Sequence, residues 1–192
     1  MTTAAASPIP HWFEGSEYTH KVAASIMKYG PISRITLAQI LGLSQGAVSR
    51  ITSDLIYAGV IEETPMTSGQ TGKLPKGFVQ KENSERRGRP QTGLRIIKDA
   101  RTFVGMKINT THISAVAVNA VGQIVTGCHD LPLEETSPEA VVAAVKQLTT
   151  DCSDETVMSG LPRPCAVGIS LGGHIVDDAT VTFAPFLHWS RP

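Results

Sequence analysis

The sequence predicts an α+β protein in two parts: a helical N-terminal part closed by two strands, as in a winged helix-turn-helix, and a strand-rich second part. Three observations carry that expectation. Apolar residues recur at helical spacing from Tyr18 to Ile56, extended segments take over after Thr102, and a formal charge of zero is split unevenly between the halves. Residues 1–101 hold 13 Lys and Arg against 8 Asp and Glu, a net of +5, whereas 102–192 hold 4 against 9, a net of −5. A polyanion is therefore expected on the first half.

At 192 residues, 41% hydrophobic and 18% charged, the chain can bury one good core or two small ones and does not read as disordered. No stretch approaches the roughly 18 uninterrupted apolar residues of a membrane span, and the N-terminus lacks a basic segment followed by an apolar one, so a cytoplasmic protein is expected. Cys128, Cys152 and Cys165 are odd in number and form no C-x-x-C pair, which argues against a disulfide framework or a zinc site. They are expected as small buried residues.

Residues 1–16, with Pro8, Pro10 and Gly15 and no periodic pattern, are expected to be a flexible arm. From Tyr18 to Tyr29, Val22, Ala23, Ile26 and Met27 mark a first helix that Gly30-Pro31 ends. Leu37, Ile40 and Leu41 then mark a short helix, Gly42-Leu43-Ser44 a turn, and Val48, Ile51, Leu55 and Ile56 the buried stripe of a third. Ser44 is a natural N-cap, because its hydroxyl can accept a free amide of the helix that follows. Small Ala38 permits close helix packing, and Gly42 supplies the sharp turn. A helix-turn-helix needs those residue types at those spacings, although an ordinary helical hairpin shares the periodicity. Opposite the stripe lie Gln45, Gly46, Ser49, Arg50 and Ser53, which suit base edges and phosphates, with no acidic residue before Asp54. Arg34 and Ser44 are counted with them as DNA-binding candidates.

Val60 to Glu63 and Leu94 to Ile97 are expected to pair as a wing, within a DNA-binding domain spanning 17–98. The connecting loop 64–93 is far longer than the two to five residues of a usual hairpin. It ends in "RRGRPQTG". Arg-Gly-Arg-Pro is the core of minor-groove hooks, in which an extended backbone delivers two arginines to a narrow groove. Arg87 and Arg89, with Gly88 between them, are the groove candidates and Arg86 a phosphate contact; a solvated linker is the plain alternative.

In the second part, 103–108, 112–118 and 124–127 read as three successive strands. A helix is expected from about Ser137 to Leu148, with Pro138 near its start, followed by a strand over 166–171, a Gly172-Gly173 turn, and further strand from Ile175 to Phe183.

Together, this winged helix-turn-helix returning through "GRP", the segment "VGMKINTTHISAVAVNAVGQIV" and the later "AVGISLGGHIVDDATVTFAPFLHW" resemble NagC/XylR-type transcriptional regulators of the ROK family. The likeness runs from about Tyr18 to the end. It implies that 99–192 is the N-terminal portion of a sugar-sensing domain with an actin-like ATPase fold, truncated before the family's sugar contacts and its Cys-rich zinc motif.

Kinases of the family carry an Asp-x-Gly-x-Thr phosphate loop at the first hairpin, where the carboxylate handles magnesium. In "GMKINTTH" Lys107 stands at the Asp position and Asn109 at the Gly, with only Thr111 kept. A lysine cannot ligate a divalent cation, so phosphoryl transfer is not expected. His112, His129, His174 and His188 lack metal-ligand spacing, Asp177-Asp178 reads as a solvated turn, Gly172-Gly173 lacks a phosphate-binding frame, and Phe186 replaces a frequent Asn. No catalytic residue, metal or cofactor is assigned.

The expectation is thus a sequence-specific regulator, a repressor, that binds an inverted repeat in double-stranded DNA as a homodimer or higher homo-oligomer and answers to a sugar or sugar-phosphate effector. A ROK-type sugar kinase with an accessory DNA-binding domain and a helix-turn-helix protein-interaction module are the alternatives.

Overall fold

A computed structural model describes residues 16–66, Leu74, 92–176 and 180–190. The chain divides into two compact units, one running to Lys98 and the other starting at Asp99. Among the described residues the fold is mixed α+β, with four α-helices and three sheets.

In the first unit, helix α1 (Glu17–Tyr29) begins where Ser16 Oγ accepts the Thr19 amide, so Ser16 caps a helix instead of ending an arm. Residues 1–15 lie outside the described residues. The helix stops at Gly30, where a Cβ would fall 2.5 Å from the Ile26 carbonyl oxygen and 3.2 Å from that of Leu94. Helix α2 (Arg34–Leu41) starts at Ser33, whose hydroxyl accepts the Thr36 amide at 3.1 Å. It ends at Gly42, whose φ of 64° is left-handed and therefore favours glycine. Two residues later Ser44 opens α3 (Gln45–Tyr57), its hydroxyl accepting the Ala47 amide at 3.2 Å as expected.

Strands β1 (Ile61–Pro65) and β2 (Thr92–Ile96) pair antiparallel, with Glu62 opposite Arg95. Ile32 joins the other edge of β2, exchanging hydrogen bonds of 2.8 and 3.1 Å with Leu94. Val22, Ile26, Leu37, Val48, Leu55 and Ile61, with their neighbours, form one apolar core under these elements.

The second unit is built on β3 (Thr102–Ile108), β4 (His112–Asn119), β5 (His129–Pro132) and β6 (Val167–Leu171), in the order β5-β4-β3-β6. The first three run antiparallel, and β6 lies parallel to β3 after the excursion through α4 (Pro138–Met158). Alternate residues of β3 and β4 are buried against α4, so Val104, Met106, Ile113 and Ala115 meet Val141, Ala144, Leu148 and Cys152. Strands β7 (His174–Val176), β8 (Thr180–Ala184) and β9 (Trp189–Ser190) make a three-stranded antiparallel sheet.

Four expectations need correction here. The segment 124–127 is not a strand: Ile124 makes only an isolated bridge to Val118, and the third strand is β5. Helix α4 runs ten residues past Leu148 to Met158. Its last part buries Cys152, Ser153 and Thr156 in place of large apolar residues, and the Thr156 hydroxyl donates back to the Cys152 carbonyl at 2.6 Å. The stretch 175–183 contributes to two strands, β7 and β8, and not one. Of the cysteines only Cys152 is fully buried, and Cys128 is exposed.

Candidate nucleic-acid interface

Helix α3 has two distinct faces. Val48, Ile51, Thr52 and Leu55 point into the core, whereas Gln45, Gly46, Ser49, Arg50 and Ser53 are all exposed. The 3.6-residue period of the sequence thus puts five small, polar or basic residues on one solvent-facing strip. No acidic residue occupies the first turn. Arg50 is exposed and makes no ion pair or hydrogen bond with another described residue, so its guanidinium can offer N–H donors to an external acceptor. Ser44 is exposed beside the strip, but its oxygen already caps the helix.

Arg34 stands differently. Its Nε donates to Thr52 Oγ1 at 2.9 Å, and Nη1 lies 2.7 Å from Glu63 Oε1. The structure therefore brings Arg34 to the underside of α3 and to β1. Sequence reasoning found the cation and missed its partners, which are 18 and 29 positions away and carry no local signal. On the paired strands the Arg95 Nε donates to Glu62 Oε1 at 2.7 Å, so both carboxylates of β1 are matched by arginines. Arg86, Arg87, Gly88 and Arg89 lie outside the described residues.

In the second unit the sheet face away from α4 bears an open cavity of about 540 Å³, lined by Gly105, Lys107, Ser114, Val116, Gly168 and Ser170. Ser114 and Ser170 flank Lys107 in register, and Ser114 Oγ donates to Asp130 on the next strand at 2.5 Å. At the adjoining hairpin the Asn109 amide and the Thr111 hydroxyl both engage the His112 ring, at 3.1 and 3.0 Å. The turn is thus occupied by its own side chains. Gly172 and Gly173 serve packing: the first faces the Phe186 ring and the second lies against the Phe183 carbonyl, where a side chain would collide.

His129 meets Glu155, and His174 Nδ1 lies 2.7 Å from Thr182 Oγ1. Burial pushes the Cys152 thiol up to about 11, so it is an inert core group at neutral pH. Among the described residues no three His, Cys, Asp or Glu side chains converge to hold a metal. Asp177 and Asp178 lie outside the described residues, and no described helix is long and apolar enough to cross a membrane.

A capped helix pair with one exposed polar strip, followed by paired strands and a separate unit of helix and sheet, defines a two-part α+β protein. The chain is similar to a crystal structure of a ROK family transcriptional regulator, a homologue of the E. coli MLC protein, with a TM-score of 0.56 and 25% identity over 81% of this chain. The match agrees with the ROK resemblance drawn from the sequence. The match covers 35% of that protein, so this chain spans about a third of its length. No protein-family model and no curated protein matches the chain.

Proposed function

We propose that the first unit is a winged helix-turn-helix that binds double-stranded DNA, with α3 as its reading helix. The observation that carries this is the exposed strip Gln45, Gly46, Ser49, Arg50 and Ser53 opposite the buried face of Val48, Ile51, Thr52 and Leu55. Bare Gly46 lets the backbone come close to a base edge, the three polar residues hydrogen-bond bases or phosphates, and Arg50 offers a bidentate fork to guanine or a phosphate. Ser44 borders the phosphate backbone while capping the helix. The segment Arg86, Arg87, Gly88 and Arg89, just before β2, reaches an adjacent minor groove.

In this reading the whole protein is a repressor, a homodimer or higher homo-oligomer on an inverted repeat, and its second part senses a sugar or sugar phosphate. The solved relative supports a regulator. The second unit begins the family's actin-like sugar-sensing domain and does not transfer phosphate. Lys107 in place of a magnesium-handling carboxylate and the filled Asn109–His112 turn support that.

The test is a fluorescence titration of the full chain against genomic fragments and random duplex at about 50 and 200 mM salt. A selected site with a steep salt dependence is expected. Equal affinity for selected and random duplex would refute the reading, and ADP release with hexoses would refute the non-enzymatic part of it.

A further inference from the structure

We infer that Arg34 serves DNA recognition as a positioning residue, holding α3 at a fixed angle to α2 and β1, and is not itself a DNA contact. This rests on the reading of α3 above. The guanidinium sits at the first position of α2 and spends one edge on each neighbour: Nε on Thr52 of α3 at 2.9 Å, and Nη1 on Glu63 of β1 at 2.7 Å. Thr52 is completely buried, and its hydroxyl also donates to the Ser49 carbonyl at 3.1 Å. A single chain of polar contacts therefore runs from β1 through Arg34 and Thr52 to the backbone of Ser49, a residue of the exposed strip.

An ion pair as accessible as Arg34–Glu63 contributes little alone. The bond to Thr52 is of another kind. Loss of Arg34 takes a donor from the fully buried Thr52 hydroxyl, and loss of Thr52 leaves an N–H of a half-buried guanidinium without its acceptor. The fork geometry matters too, because one planar group reaches two acceptors in different directions and a lysine ammonium does not reproduce that. Arg95 meets Glu62 on the same strand, so each carboxylate of β1 faces an arginine.

Thr52→Val, Arg34→Met and Arg34→Lys, each in the full chain, separate this role from a direct contact. Positioning predicts a loss of roughly tenfold in affinity for the selected site in Thr52→Val and Arg34→Met, with affinity for random duplex and the salt slope unchanged and no rescue by Arg34→Lys. Hydrogen exchange of the 49–53 amides in free protein should quicken in the same variants. A direct phosphate contact predicts instead a silent Thr52→Val and an Arg34→Met whose salt slope falls by about one on every duplex. That outcome overturns the inference, as does a selective wild type whose site preference survives both Thr52→Val and Arg34→Met. A wild type without site preference, yet with quickened exchange in the variants, would instead sink the DNA reading itself and this role with it.

Discussion

Glu155 and His129 tie the late part of α4 to the start of β5: His129 Nε2 lies 2.6 Å from one carboxylate oxygen, while the Gly127 amide donates to the other at 2.8 Å. The Gly127 amide, and after it His129, holds the Glu155 carboxyl below its ordinary value of 4.5. A carboxyl lowered in the folded state adds stability above its unfolded pKa and loses it as pH falls through the folded value. Glu155→Gln should therefore lower Tm near neutral pH and cost progressively less below 4.5. Thermal unfolding followed across the acid range checks this, and a Tm difference that ignores pH would contradict it.

Gly42 and Gly46 should respond to alanine in opposite ways. At Gly42 the φ of 64° strains any side chain, so Gly42→Ala should cost about 1 kcal/mol. Gly46 is helical with open space where a Cβ would go, so Gly46→Ala should stabilise α3 by about 0.5–1 kcal/mol. The same methyl would stand between α3 and a base edge. Denaturant titration should show the gain in stability, and the DNA titration a loss of affinity; a variant that gains both would remove Gly46 from the interface.

Leu148 is fully buried under the four-stranded sheet, in the middle of α4. Leu148→Ala leaves a cavity among Ile113, Val141 and their neighbours and should cost about 2–5 kcal/mol in the second unit. Because the chain divides at Lys98 and Asp99, amides of the first unit should keep their exchange protection. Equal loss of protection in both units would show that they unfold together.

What the sequence made legible was local. Ser44 as cap, Gly42 as turn and Val48, Ile51 and Leu55 as stripe lie within 14 residues, where hydrogen bonding and helical period act over one or two turns. The Ile32–Leu94 bridge was not legible, because one extended residue has no periodicity and its partner is 62 positions on. Val125 and Thr126 are β-branched and suggested a strand, yet the pairing edge of β4 went to His129–Pro132. The strip on α3 was visible as residue types, whereas Arg34 read as one more DNA-binding candidate, because Thr52 and Glu63 lie too far along the chain to show as its partners.

Arg50 and the pair Arg87 and Arg89 should prove separable by what they read. Arg50 is exposed in the second turn of α3, so a major-groove contact through it favours particular base pairs. Arg50→Ala should then cost about 1–3 kcal/mol on the selected site, relax preference at one or two positions, and leave stability unchanged because no described partner is lost. Arginines in a narrow minor groove answer to its width and not to a base code. Arg87→Ala with Arg89→Ala should accordingly weaken binding and flatten the preference for A·T pairs flanking each half-site, without altering the positions that Arg50 governs. Selection of sites from a randomised duplex pool with each variant checks both claims. If Arg50→Ala shifts only the flanks, or the double variant only the centre of each half-site, the assignment of α3 to the major groove is wrong.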